Sequence, residues 1–165
     1  VAWKTWIIWC DEQGNTKKEL SLPEGYKIFD ATPGVFNRIY IAGYYYDFTQ
    51  ETRRDIWTGV YNYDLEKKWD KIIDDNNGYE HANSVAVSLD GKIWVSAITS
   101  VNDDSEDDCW FLVFDSKGNK LKEFRFGTEQ NEKNPVSHIN NLNTVITAFH
   151  KGLNSDIIVT GTKLE

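Results

Sequence analysis

Methionine is absent from all 165 residues, position 1 included, as expected of a chain that starts after processing or inside a longer protein. Cysteine is scarce. Cys10 and Cys109 are the only two, and neither belongs to a Cys-x-x-Cys or Cys/His group, so no disulfide framework is expected. Both are expected to be small buried hydrophobes. Basic residues are outnumbered, 18 Lys and Arg against 26 Asp and Glu, for a net charge of −8. No stretch concentrates them into a phosphate-tracking surface, which argues against nucleic acid as a partner. The same sign disfavours anionic membranes and favours solubility. No run of 18 apolar residues is present, so no membrane-spanning helix is expected, and no signal-peptide pattern is seen. Helical periodicity is missing as well. The best helical segment, Leu65 to Trp69, is too short and lies between strand-like runs. Nor is there a G-x-S-x-G, a phosphate-binding glycine loop or a carboxylate pair of diagnostic spacing, so an enzyme is not the leading expectation.

Aromatic residues make up 14% of the chain, with seven Trp, eight Tyr and eight Phe. That excludes a disordered polymer and suggests sheets packed through large flat side chains. These residues sit in a repeat. Thr5-Trp6-Ile7-Ile8-Trp9-Cys10-Asp11, followed by a turn at Glu12 to Asn15, returns as Cys109-Trp110-Phe111-Leu112-Val113-Phe114-Asp115, followed by Ser116 to Asn119. A looser copy runs from Asp55 to Asp64, and the marker aspartates Asp11, Asp64 and Asp115 are spaced by 53 and 51 residues. A second pattern keeps this period: segments starting at Arg38, Lys92 and Thr144 lie 54 and 52 residues apart. Alternating or continuous apolar residues, punctuated by Gly, Asn and Asp, make each segment a strand. Four short strands and their turns need about 40–50 residues, the size of a propeller blade.

The expected fold is therefore all-β, built of β-propeller-like repeats of four-stranded antiparallel blades, with a sandwich as the alternative. One unit reads as strands over Asn83 to Ser88, Lys92 to Thr99, Cys109 to Asp115 and Lys120 to Phe126, with a hairpin at Leu89-Asp90-Gly91. On this register the chain is a single repeat domain of about three blades: partial 1–27, full 28–78, full 79–127 and partial 128–165. Propellers close with four to eight blades. The expected partner is therefore a second copy of the chain or another propeller segment, covering the open flanks. Trp3, Trp6 and Trp9 at one end and Ile157, Ile158 and Val159 at the other lack the polar caps of terminal repeats.

Asp108-Cys109-Trp110 through Asp115-Ser116-Lys117-Gly118-Asn119 resembles the D-x-W-x-x-x-x-D-x-x-G-N pattern of bacterial SBBP-type β-propeller repeats. Asn83 to Val95 is similar to the N-x-I-A-V-x-x-D-G-N-I-Y-V segment of the same repeats, and equally to blades of NHL and gluconolactonase-like propellers. The first and third copies replace Asp-Gly with Phe36-Asn37 and Leu142-Asn143. The resemblance implies a rigid binding or display scaffold, often exported, so an extracellular or periplasmic setting. Gluconolactonase-like propellers hold a metal near such an Asn, which singles out Asn83.

Three constellations could carry chemistry. The acidic run Asp103, Asp104, Glu106, Asp107 and Asp108 could hold Ca²⁺, or be a solvated loop shielding a strand edge. It lacks the EF-hand spacing, so no cofactor is the main expectation. His81 and His138 could face a central channel with Asn83 or Asp30 as acid or base, or simply line it. Tyr44, Tyr45 and Tyr46 could stack on a sugar, or pack between blades. Three functions follow: a non-catalytic binding or assembly module, a lectin-like propeller, and a metal-dependent lactonase-like enzyme. Fold analogy cannot choose among them.

Overall fold

The computed structural model describes residues 4–49, 53–75, 78–100, 107–140, 142–152 and 156–163. Among them the chain is all-β, its one helical element being a 3₁₀ turn at Val35–Asn37. The strands are β1 (Trp6–Cys10), β2 (Thr16–Ser21), β3 (Tyr26–Gly34), β4 (Arg38–Tyr46), β5 (Arg54–Asn62), β6 (Lys67–Ile73) and β7 (Tyr79–Val87). They continue as β8 (Ile93–Ser100), β9 (Asp108–Phe114), β10 (Lys120–Phe126), β11 (Glu132–Ile139), β12 (Thr144–Lys151) and β13 (Asp156–Lys163). Sequential neighbours pair antiparallel within four groups: β1–β2, β3 to β6, β7 to β10 and β11 to β13. A single parallel pair, Arg54 with Tyr79, links the two middle groups through β5 and β7.

The groups stack as layers, each pressed on the next. Side chains alternate along a strand, so one strand can serve two cores. On β9, Trp110, Leu112 and Phe114 face back to Tyr40, Ala42, Ile56 and Val60 of the second layer. Its intervening residues Cys109, Phe111 and Val113 face forward to Val145 and Phe149 of the last layer. On β4 and β5, Ile41, Trp57 and Tyr61 point the other way, onto Ile7 and Leu20 of the first hairpin. Most antiparallel sheets keep one face wet. Here both faces of the central strands β4, β5, β8 and β9 are covered, which is why these strands read as nearly continuous apolar runs. Buried hydroxyls interrupt the runs and are satisfied internally. Ser96 Oγ, Ser137 Oγ and Thr147 Oγ1 form a buried chain with spacings of 2.5 and 2.6 Å, and the Ser137 N–H donates to Ser84 Oγ at 2.9 Å.

The repeated turns share one geometry. The Asp115 carboxylate accepts from the backbone N–H of Lys117 and Asn119 and from the Asn119 amide, each at 2.8 Å. Asp11 does the same toward Gln13 and Asn15. The glycines Gly14 and Gly118 sit at φ 83° and 85°, which an L side chain resists. In the second copy the marker is Asn62, not Asp64. The Asn62 Oδ1 accepts from the N–H of Asp64 and Glu66 at 3.1 and 2.8 Å, and Leu65 takes the glycine's place at φ 61°. An amide oxygen accepts as a carboxylate does, so Asn can replace Asp there. Asp64 instead pairs with Lys18. The other hairpins behave alike: Gly91, Asn37 and Asn143 all have positive φ, a conformation Asn tolerates. Cys109 is buried, and desolvation pushes its thiol up to about 12. Cys10 is exposed, against expectation, because its position in β1 points away from the stack.

Candidate functional site

The period of two decides which apolar side chains remain uncovered at the ends of the stack. On β1, Ile7 turns inward while Trp6 and Ile8 turn outward, 51% and 55% exposed. On the last sheet Val145 and Phe149 turn inward, leaving Ile146 between them facing out. Ile157 and Val159 of β13 are 66% and 65% exposed, and Val136 of β11 joins them. Register sets these residues side by side. Val136 and Val159 both pair with Ala148, and His138 and Gly161 both pair with Ile146. Two end residues named from the sequence are thereby reassigned. Trp9 is half-buried and packs its ring 4.8 Å from Tyr63, and Ile158 packs on the forward core of β9. Trp3 lies outside the described residues. Ile8, Val136 and Ile146 were not singled out from the sequence, although their alternation with buried neighbours marks them.

These end faces are equivalent to buried interior ones. Ile146 occupies the repeat position of Trp94, 52 residues earlier, and Trp94 packs forward on the next layer. Trp6 occupies the position of Trp110, which packs backward. One end of the stack thus presents a forward-type surface and the other a backward-type surface. Their polar residues are of opposite kinds. Glu19 pairs with Ile8 on one face, while His138 and His150 flank Ile146 and Ile157 on the other.

The remaining sequence candidates are placed as follows. Tyr44 is buried, between Phe29 and the cations of Lys27 and Arg54. Tyr45 packs with Tyr26 at 4.9 Å and Tyr46 with Phe48 at 5.0 Å. The three tyrosines are packing residues rather than an open platform. His81 is brought to the same group, 5.2 Å from Phe29, whereas His138 is exposed on β11, so the two histidines do not share a site. Asn83 stands at a β-bulge in β7, and its Oδ1 has no hydrogen-bond donor among the described residues. Asp103, Asp104 and Glu106 lie outside the described residues. Asp107 pairs with Lys133 at 3.5 Å, and Asp108 abuts Gly127. Among the described residues, neither belongs to a cluster of metal-ligating side chains; the cluster present there is Asp55, Asp74 and Glu80, which sequence spacing does not bring together.

His81 is the strongly perturbed base of this region. Burial first, then Arg54 and Lys27, lower its pKa from 6.5 to about 4. Its folded pKa lies below the unfolded value, so the imidazole is neutral in the fold, and the stability tied to it is complete above about pH 6.5. That stability declines as pH falls from 6.5 toward 4, by at most about 3 kcal/mol. In His81→Gln the unfolding free energy is expected to lose its extra slope in this window. Denaturant titrations at pH 7, 5.5 and 4 check it, and equal slopes in both proteins would contradict the assignment.

No protein-family model matches the chain, and no curated protein matches it.

Proposed function

We propose that this chain is a non-catalytic assembly module whose layers are β-propeller blades, two complete and one partial at each end, and that it binds a second copy of itself end to end. The observation that carries this reading is the pair of uncovered end faces, one of each type that the interior already packs together. Contiguous apolar surface of this kind is rarely left to water. Joining the Trp6 and Ile8 face of one copy to the Ile146, Ile157 and Val159 face of another repeats the internal layer contact, with Glu19 set against His138 and His150. Such a contact is head-to-tail and propagates into a closed ring or an open fibre.

Light scattering over a concentration series tests it. The expected particle is a multiple of 19.1 kDa. Trp6→Asp and Ile146→Asp should each reduce it toward 19.1 kDa, because each buries an unpaired charge at the joint. Mixing the two variants should restore a one-to-one dimer and nothing larger, since each retains one good face. A wild-type chain that stays monomeric at high concentration would remove the reading.

A lectin-like reading draws on one other observation. A cleft of about 320 Å³ between β10 and β13 is lined by Trp94, Phe111, Phe124 and Phe149 together with Thr160 and Thr162. Aromatic faces beside hydroxyls suit a sugar ring, and Phe124→Ala should then abolish retention on a glycan surface.

A further inference from the structure

Glu80, near the start of β7, is fully buried, and no donor among the described residues reaches either of its carboxylate oxygens. A buried charge without a partner is costly, and its surroundings add to that cost. One carboxylate oxygen each from Asp55, Asp74 and Glu80 lie within 4.8 Å of one another, where the start of β5, the end of β6 and the start of β7 converge. Asp75 is a further acidic neighbour, its side chain within hydrogen-bond reach of Glu80, so the two carboxyls can share a proton. Two guanidinium groups serve this region. Arg53 pairs with Asp55 at 3.2 Å and with Asp74, and Arg125 pairs with Asp75 at 2.9 Å.

The following layer provides a contrast. Glu132, 52 residues on, begins β11 as Glu80 begins β7 and is equally buried. Its carboxylate is satisfied by the N–H of Thr128 at 3.1 Å and the Thr128 hydroxyl at 2.6 Å. Among the described residues ahead of Glu80, Asp74 and Asp75 are its neighbours, and both are acidic. Burial first, then Asp75, pushes the Glu80 carboxyl up to about 9. The carboxyl is therefore protonated at neutral pH, and a cation binding there has to displace that proton.

We propose that Asp55, Asp74 and Glu80 bind a hard divalent cation of the calcium class. All three offer oxygen, the donor such ions prefer, and calcium sits about 2.3–2.6 Å from its ligands. Oxygens about a calcium ion lie at most roughly 4.6–5.2 Å apart, and the three oxygens here, all within 4.8 Å of one another, fall inside that limit. Asp74 is exposed and gives the ion a way in from solvent. The bound ion would tie the second layer to the third.

The full chain, stripped with a chelator, is titrated with calcium chloride and followed by thermal unfolding and calorimetry. The expected result is a saturable single-site rise of the midpoint, roughly 5–10 °C at a hundredfold excess over Kd. Glu80→Gln, which keeps the shape of the side chain, should abolish the rise. Asp74→Asn, at an exposed position, should weaken calcium binding at least tenfold. Repeating the titration in Ile146→Asp, where end-face contact is blocked, separates an ion effect from association. A wild-type midpoint unmoved by millimolar calcium, magnesium or manganese would overturn the proposal, as would an equal rise in Glu80→Gln.

Discussion

Replacing Gly43 with alanine is expected to cost on the order of 4 kcal/mol or more, enough to leave much of the chain unfolded. A Cβ on Gly43 would stand 1.8 Å from the carbonyl oxygen of Lys27 and 2.8 Å from its carbon. Both are backbone atoms of β3, so no side chain can swing aside. Gly43 is central in its sheet, paired to Ile28 on β3 and to Trp57 on β5, and β3 bulges immediately beyond Ile28. Relieving the clash means parting two hydrogen-bonded strands. Gly161 on β13 is the control, because a Cβ there meets nothing closer than 4.0 Å. Gly161→Ala should change stability by about 0.5 kcal/mol or less. Denaturant unfolding of both variants decides the matter, and matching midpoints would mean that β3 and β4 do not approach so closely.

The second large effect is Phe114→Ala, expected to lower stability by about 3–5 kcal/mol. The ring is 1% exposed, sits in the core between the two complete layers, and lies 6.2 Å from Trp69 on the preceding layer. Neighbouring strands cannot close over the missing ring without shifting whole sheets, so a cavity remains. Phe124 on β10 makes the comparison. It is 39% exposed and its main contact is the stacked Trp94 ring at 5.6 Å. Phe124→Ala should cost only about 1 kcal/mol. Similar unfolding free energies for the two variants would contradict a core placed between the second and third layers.

The later strands of the third layer were legible almost residue for residue, because alternation and turn chemistry are local properties, whereas β7 begins at Tyr79, four residues before the expected Asn83. The expected strands from Lys120 to Phe126 and from Cys109 to Asp115 match β10 and β9 closely. The turn of the second layer was less legible. Asp64 has the right residue type, but Asn62 makes the turn, and Leu65 holds a conformation that composition would reserve for glycine. The tyrosine run illustrates the same limit. Three adjacent tyrosines look like a platform, yet alternation sends Tyr44 and Tyr45 to opposite faces, and Tyr44 is buried beside Phe29 and the Arg54 guanidinium. The acidic cluster left no local trace at all. The run that drew attention, Asp103 to Asp108, is contiguous in the chain, whereas Asp55, Asp74 and Glu80 meet only through the stacking of separate strands.

By itself, the sequence determined the all-β class, the period near 52 residues, and the strands and hairpins of the third layer. Each of these follows from neighbours a few residues apart, where sterics and side-chain alternation act directly. Only the tertiary structure decided which apolar face meets which, which end residues stay open, and that three distant carboxylates converge. Those outcomes depend on how whole sheets settle against one another, and sheet-on-sheet packing joins residues whose separation along the chain carries no signal.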